Sequence, residues 1–597
     1  MRLVVDIETN GFLDVLTTIH CIVAYDLDSD TFYHYGPSEI REGIALLQQA
    51  DVLIAHNGIK FDVPAIQKLF PTFKPKRVID TLVCTRLIWA NIKDIDFEKF
   101  RKTLPPKLIG SHSLKAWGYR LGHHKGDYGE QENAWDVFSP EMMDYCEQDV
   151  RVTVSLWQRI SAKQYSQRAL ELEYHVAELM WKQECNGFVF DEKKAQQLYI
   201  NLAEERDSIF QELHGLFPAW VVGTGSKNPA RTVKYKDPLK ADRTEGAPFT
   251  AIKIVEFNPA SRAHISNRLT LKYGWKPKEF TPSGQPKIDE TTLGTLPYPE
   301  AKHMAQYFML QKRLGQLAEG NQGWLKVCRN GKIHGSVNPN GAVTGRATHA
   351  YPNVAQVPST RAMHGKACRE LFTVPKGWKL MGADASGLEL RCLGHYMAAY
   401  DKGAYVDVVL NGDIHTVNQL AAGLPTRDAA KTFIYAFLYG AGDELIGQLV
   451  GGGQQEGRKI KKAFLDKTPA LKLLREAVVQ AADRGYIRGL DGRHIHIRSP
   501  HAALNSLLQS AGAIICKQWL VEFENEMQRQ GYKHGWDGDY CLCAWVHDEI
   551  QVAVREDIAD EVGEIAVQTI RKVTEVFNFK CPLDGEYNIG SSWADTH

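Results

Sequence analysis

Asp6 and Glu8 are the first residues in the chain whose type and spacing suit chemistry. They lie two apart in LVVDIET, a run that alternates as a buried strand does, so both carboxylates share one face. A third acid, Asp62, ends HNGIKFD, and a fourth, Asp149, lies in SPEMMDYCEQDV. In that last stretch Ser139 reads as an N-cap and Pro140 as the first helical residue. Tyr145 and Asp149 then fall at i and i+4 on one helix face. Converging carboxylates repel one another unless cations bind, and an all-oxygen donor set suits Mg2+, with Mn2+ as the substitute. Two such ions about 3.5–4 Å apart activate a water and stabilise the leaving oxygen of a phosphodiester, and Tyr145 is placed to orient that water. Any one of these acids alone is more often an ordinary strand-end or surface residue. The ordered set D-x-E, NGxxxD, YxxxD is far more specific.

A second acidic set lies downstream. WKLMGADASGLELRCLGHYMA reads as a strand ending near Asp384, then a helix. A carboxylate at the end of a buried strand is costly unless paired or metal-bound. CLCAWVHDEIQVAV is two alternating runs broken by His547-Asp548-Glu549, a hairpin pattern with acids at the turn. Two distant acids on neighbouring strands again suit a two-metal site. Between them, PTRDAAKTFIYAFLYGAG starts a helix at the N-cap Thr426 and ends it at Gly440. Arg427, Lys431, Tyr435 and Tyr439 recur every four residues, so they form one slowly rotating stripe. Two cations followed by two aromatics match a nucleoside triphosphate laid lengthwise, phosphates on the cations and base near the tyrosines. In isolation the same pattern is more often an amphipathic helix with solvated cations and packed tyrosines.

These residues need a large, multi-unit scaffold. The chain has 597 residues, enough for about three to five units. Hydrophobic residues make up 44% and charged residues 24%, which fits buried cores rather than disorder. No apolar run approaches the length of a membrane span, and RLVVDIETNG follows Met1 with no signal-peptide pattern. Eleven scattered cysteines fit a reducing cytoplasm. Cys541 and Cys543, one residue apart on a strand and so on one face, have no second pair nearby and do not read as zinc ligands. Net charge is zero, which speaks against a nucleic-acid partner unless the basic footprint is local. Two such local stretches exist: Lys227, Arg231, Lys234, Lys236, Lys240 and Arg243, and Arg458, Lys459, Lys461 and Lys462. Residues 1–165 alternate strands and helices, an α/β pattern, and 166–330 are mainly helical, with a polar insert of weak secondary-structure signal at about 221–248. Strands return near 376–384 and 541–554, with mostly helical 401–499 between them.

The first acidic set resembles the three motifs of the DEDDy family of 3′→5′ exonucleases. That implies Asp6, Glu8, Asp62 and Asp149 as metal-site residues and Tyr145 as the tyrosine of the third motif. The second set resembles motifs A, B and C of family A DNA polymerases, the DNA polymerase I superfamily, most closely the replicative polymerases of T-seven-like bacteriophages. NPNGAVTGRATHAYPNVAQVP, DASGLELR, GDIHT, TRDAAKTFIYAFLYGAG, SPHAALNSLLQSAGA and AWVHDEIQV carry the likeness in order across nearly the whole chain. It implies an RNase H-like exonuclease domain (1–165) followed by a right-hand polymerase. That polymerase would comprise a thumb (166–330), a first palm segment (331–400), fingers (401–499) and a second palm segment (500–597), multidomain α/β and α+β. It further implies that Asp384 and Asp548 hold two metal ions, helped by the Ala385 carbonyl, with Glu549 beside them. His415, Arg427 and Lys431 would contact the deoxynucleoside triphosphate. Tyr435 would pack on its sugar and admit dideoxynucleotides, and Glu389 would crowd the ribose 2′ position. Tyr439 would stack near the templating base, Arg346 and Gln509 would reach minor-groove acceptors, and His547 would lie near the primer end.

In the phage relatives a long basic thumb loop binds host thioredoxin. Here the corresponding insert is markedly shorter, which speaks against thioredoxin binding, although its basic residues can still meet duplex phosphates. The chain starts directly at the exonuclease motifs, so no 5′-nuclease domain is expected. Expected partners are primer-template DNA and deoxynucleotides, with helicase-primase or single-strand-binding protein at a fork. Three rivals are weaker. An exonuclease with a decayed polymerase region would not keep Asp384, Lys431 and Asp548. A single-subunit RNA polymerase would not carry Glu389 and the first acidic set. A non-catalytic nucleic-acid-binding protein would need neither set.

Overall fold

A computed structural model describes residues 1–123, 128–131, 133–238, 240–281 and 283–597. The chain forms two compact units, Met1–Val189 with His334–Val357 and Phe372–His597, and Phe190–Ile333 with Pro358–Leu371.

The first unit contains two sheets that matter for chemistry. The N-terminal sheet has five strands, β1 (Arg2–Thr9), β2 (Ile19–Asp26), β3 (Thr31–Tyr35), β4 (Val52–Ala55) and β5 (Val78–Asp80), in the order β3-β2-β1-β4-β5. β1 pairs antiparallel with β2 and parallel with β4. Alternation along β1 divides its side chains between two cores. Leu3, Val5 and Ile7 join one cluster with Ile44, Leu47 and Ala65. Val4 joins the other, with Met142, Val150 and Leu156 of a long helix (Pro140–Ser161). Asp6 and Glu8 continue the Val4 face, the face that this helix covers.

The second sheet is antiparallel. β6 (Trp378–Ala385) lies between β8 (Glu549–Arg555) and β9 (Gly585–Gly590), and β7 (Tyr540–Val546) borders β8. The turn expected at His547-Asp548 joins β7 to β8, with His547 at φ 58°. The register shifts between Leu542 and Ala544, so a bulge at Cys543 interrupts the alternation expected across Cys541 and Cys543. Helices over Ala503–Arg529 and Ala559–Val576 supply Ile514, Trp519, Ala566 and Ile570 to the large core beneath the sheet. Residues 404–482 are helical, followed by a hairpin of Tyr486–Arg488 and His494–His496.

A buried ionic cluster ties these elements together. Glu173 Oε1 receives Lys517 Nζ at 2.5 Å and Arg493 Nη1 at 2.7 Å, and Arg493 Nη2 reaches Asp491 Oδ2 at 2.6 Å. All four side chains are essentially inaccessible. Burial pulls the Lys517 ammonium down to about 8, with Glu173 opposing. Removing one member of such a set is costly because its partner stays buried and uncompensated.

In the second unit the helix Glu192–Leu216 packs with Pro299–Leu314. The insert differs from its expectation. Residues 221–227 belong to a strand, Trp220–Lys227, that pairs antiparallel with Phe249–Val255, and Val233 bridges Arg243 beyond it. Gly223 and Gly225 conceal the ribbon in the sequence. Residue 239 of the expected insert lies outside the described residues. Arg243 lies over Phe249 and Tyr235, 4.5 and 5.5 Å from the ring centres, so a portion of the basic loop is held by aromatic faces.

Candidate active sites

Three elements meet at the first acidic set. β1 presents Asp6 and Glu8. The helix Asp62–Leu69 begins with Asp62, which is 5% exposed. The helix Pro140–Ser161 starts at its N-cap Ser139, whose Oγ accepts from Met142 N at 3.2 Å, and brings Tyr145 and Asp149. The Ile7 backbone amide, between Asp6 and Glu8, favours the charged form of Asp62. Burial first, then the charges of Asp80 and Asp149, push the Asp62 carboxyl up to about 7. Tyr145 packs among Tyr128 and Trp135, with ring centres 5.6 and 5.8 Å away.

Two residues here escaped the sequence reading. Cys146 is fully buried, and its Sγ donates to Asp6 O at 3.4 Å and Asp6 Oδ2 at 3.5 Å. Ligand atoms of Asp6, Glu8 and Cys146 lie within 4.8 Å of one another. Asp80 caps the helix Thr81–Ile88 and also accepts from Asn57 N at 2.9 Å and Ile59 N at 3.1 Å, so it shapes the loop that delivers Asp62. Its cap role was readable in VIDTL, while its hold on the loop was not.

The second set meets at the ends of β6 and β8. Asp384 pairs in register with Glu549 on one side and Glu586 on the other. Ala385 N donates to Asp548 O at 3.0 Å, which ties the strand end to the turn. Burial, then the charges of Asp548 and Glu549, push the Asp384 carboxyl up to about 8. Burial, then Glu389, push Asp548 up to about 6. Glu549 is 4% exposed and fully engaged: Oε1 accepts from Trp593 Nε1 at 2.5 Å and Gln551 Nε2 at 2.6 Å, and Oε2 meets His597 Nδ1 at 3.0 Å. Gln551, Trp593 and His597 were not singled out from the sequence, because only the tertiary fold brings them to Glu549.

A cavity of about 220 Å³ opens beside these acids, lined by Arg346, Glu389, Tyr439, His547 and Asp548 among others. Tyr439 donates to Glu389 Oε1 at 2.7 Å, and the Arg346 guanidinium lies 5.9 Å from the Tyr439 ring centre. The stripe helix runs Arg427–Leu438 with Thr426 as its side-chain cap, so Tyr439 stands at its C-cap rather than in its last turn. Tyr435 feels the charges of Glu389 and Asp548, which with burial raise its hydroxyl. Arg427 and His415 lie with exposed Lys431 on the helical segment. Arg427 Nε donates to Asp413 Oδ2 at 2.8 Å, an acid not singled out in GDIHT that also caps the helix Ile414–Ala422. The charges of Arg427 and Lys431 add to burial in lowering His415. Gln509 does not line the cavity. Its Nε2 donates to Asn505 Oδ1 at 2.7 Å, and the residue borders a separate groove.

Both donor sets fit divalent cations, because each gathers carboxylates, and burial with neighbouring negative charge holds Asp62, Asp384 and Asp548 above their ordinary range. No described helix is long and apolar enough to cross a membrane.

Comparison with known proteins shows the family. Residues 236–595 match the model of DNA polymerase family A, and residues 3–161 match that of the RNase H superfamily. The chain is 43% identical to the DNA-directed DNA polymerase of Enterobacteria phage T3 and 42% identical to that of Escherichia phage T7, covering 100% of each partner in both cases. It is 26% identical to DNA polymerase I of Pseudomonas aeruginosa, over 57% of this chain and 39% of that one. A solved structure, the POL domain of Pol1 from M. smegmatis in complex with DNA primer-template and dNTP, superposes with a TM-score of 0.74 at 17% identity. It covers 100% of this chain and 96% of that one, a likeness of fold. Sheet, carboxylates and sequence likeness agree: the chain belongs to the family A DNA polymerases, as a phage-type DNA-directed DNA polymerase with an RNase H-like exonuclease domain and the divalent-metal dependence general to both families.

Proposed function

We propose that this polymerase extends primer-template DNA with deoxynucleoside triphosphates at Asp384 and Asp548, and proofreads 3′ ends at Asp6, Glu8, Asp62 and Asp149. The observation that carries the reading is the pair of separate carboxylate sets, with Asp62 in one and Asp384 and Asp548 in the other held above the ordinary carboxylate range. Each set holds two Mg2+ ions, replaceable by Mn2+, with the Ala385 carbonyl completing the polymerase set. Bound there, the cations supply Lewis acidity to the attacking and departing oxygens of a phosphodiester. Glu549 braces the polymerase set, and Tyr145 orients the water of the hydrolytic one.

Arg427, Lys431 and His415 bind the triphosphate, for which the guanidinium offers paired donors once it leaves Asp413. Tyr435 packs on the sugar. Glu389, held by Tyr439, occupies the space of a ribose 2′-hydroxyl. Tyr439 stacks near the templating base. Arg346 reads the minor groove from the cavity, Gln509 does so once its amide leaves Asn505, and His547 meets the primer end. In this reading residues 1–165 are the exonuclease domain, 166–330 the thumb, 331–400 and 500–597 the palm and 401–499 the fingers. The enzyme acts in the host cytoplasm, beside a helicase-primase or single-strand-binding protein, and without thioredoxin because the ribbon's basic loop is short.

End-labelled primer on a longer template, with Mg2+, tests the reading. Lengthening with deoxynucleotides and shortening without them is the expected result. Shortening alone would remove the polymerase assignment, and lengthening alone the proofreading one.

A further inference from the structure

Arg427, one of the cations assigned to the triphosphate, already holds an anion of the chain's own. It is the first residue of the helix Arg427–Leu438, and it meets Asp413, the N-cap of the helix Ile414–Ala422 packed beside it. Arg427 Nε donates to Asp413 Oδ2 at 2.8 Å. His415, another member of the triphosphate set, follows Asp413 by two residues in GDIHT.

Asp413 does not need Arg427 in order to cap its helix. Oδ1 alone accepts from His415 N at 3.1 Å and from Thr416 N at 3.3 Å. Oδ2 accepts from Thr416 Oγ1 at 2.8 Å and also takes Arg427. The carboxylate is therefore oriented by its own helix, with an edge of Oδ2 left for the guanidinium. Nor does the pair hold the fold together. Its side chains are 52% and 46% exposed, and ion pairs in such positions contribute little to stability. What the pair does is local. Hydrogen bonding to Arg427 holds the Asp413 carboxyl well below its usual range, so the group is anionic at neutral pH, and the same bond raises the guanidinium.

A triphosphate arriving at Arg427 either displaces this carboxylate or lies beside it. Displacement costs the ion pair, and coexistence sets like charges close together. Both outcomes weaken the hold on a polyphosphate. Pyrophosphate, which the polymerase reaction leaves behind, carries its charge past the same cations. Its retention slows turnover and favours the reverse reaction, so a competing carboxylate assists its release.

We propose that Asp413 is a positioning residue that competes with polyphosphate for Arg427 and takes the guanidinium back as pyrophosphate leaves. The proposal rests on the reading of Arg427 as a ligand of the triphosphate. Arg427, Lys431 and His415 grip the nucleotide, and Asp413 loosens that grip.

The test uses the full-length protein on primer-template with Mg2+ and reads single-turnover incorporation of one nucleotide. Deoxynucleotide concentration gives one apparent dissociation constant, and inhibition by added inorganic pyrophosphate gives another. Asp413→Asn keeps a good N-cap and removes only the charge. It is expected to lower both constants about two- to fivefold, the range of an exposed ion pair, with the maximal rate unchanged. Asp428→Asn, which removes an exposed acid next to Arg427 in sequence, should leave both constants in place. Arg427→Gln should raise the deoxynucleotide constant about tenfold or more. In that background Asp413→Asn should change neither constant. Unchanged deoxynucleotide affinity in Arg427→Gln removes Arg427 from the triphosphate, and the competition with it. Weakened affinity in Arg427→Gln, with constants unchanged or raised in Asp413→Asn, overturns the competition alone. An equal shift in Asp428→Asn overturns it too, because the effect would then be one of general charge. If Asp413→Asn loses its cooperative melting, Asp413→Ser, also a good N-cap, decides by the same outcomes.

Discussion

Asp384→Asn should stabilise this protein when metal is withheld. The Asp384 carboxyl is raised from 3.8 to about 8, first by burial and then by the charges of Asp548 and Glu549. Between those two values the folded state keeps a proton that the unfolded chain releases, so stability falls as pH rises through that window. At pH 7 the window crossed is about three units, or roughly 4 kcal/mol at about 1.4 kcal/mol per unit. Asp384 is partly open to solvent, so about half of this, ~2 kcal/mol, is the expected penalty. An uncharged amide of the same shape escapes it. In chelator at pH 7 the variant should therefore outlast wild type in a urea or thermal melt. The advantage should shrink as pH falls towards 3.8 and vanish below it, where both states of wild type hold the proton. Adding Mg2+ should reverse the order, because the ion stabilises only a folded site that can hold it. Polymerisation should be lost, and primer degradation kept. A variant no more stable than wild type in chelator at pH 7 would refute the claim that Asp384 is held under repulsion.

Asp6→Ala with Glu8→Ala should abolish primer shortening while extension continues, and Asp548→Asn should do the opposite. Loss of both activities in either folded variant would break the separation of the two sites. Tyr435→Phe should raise discrimination against dideoxynucleotides in single-nucleotide incorporation, and an unchanged ratio would remove Tyr435 from the sugar. Glu173→Gln should cost about 3–5 kcal/mol in chemical denaturation, because Arg493 and Lys517 stay buried with less counter-charge. A loss below about 1 kcal/mol would mean that water enters the cluster.

Those features of the sites that depend on local periodicity were legible in the sequence. A strand alternates every residue and a helix repeats every 3.6, so LVVDIET was enough to put Asp6 and Glu8 on one face. Likewise SPEMMDYCEQDV was enough to align Tyr145 with Asp149 behind the cap Ser139. The hairpin at His547-Asp548 and the cap at Thr426 were legible for the same reason. The ribbon at Trp220–Lys227 was not, because its glycines and its pairing with Phe249–Val255 leave no alternating apolar pattern.

What lies across the chain belonged to the tertiary structure alone. Cys146 is one step from Tyr145 in sequence, yet only the docking of its helix on β1 brings the thiol to Asp6. Only strand register sets Asp384 between Glu549 and Glu586 and so raises its carboxyl. Glu549 is engaged by Trp593 and His597, more than forty residues away. Gln509 borders a groove instead of the cavity because its amide is held by Asn505. The sequence determined by itself which residue types share a face of each element and, through their order, which family they belong to. Tertiary packing decided burial and the mutual repulsion of the carboxylates, because desolvation and charge act through space and carry no periodic signature along the chain.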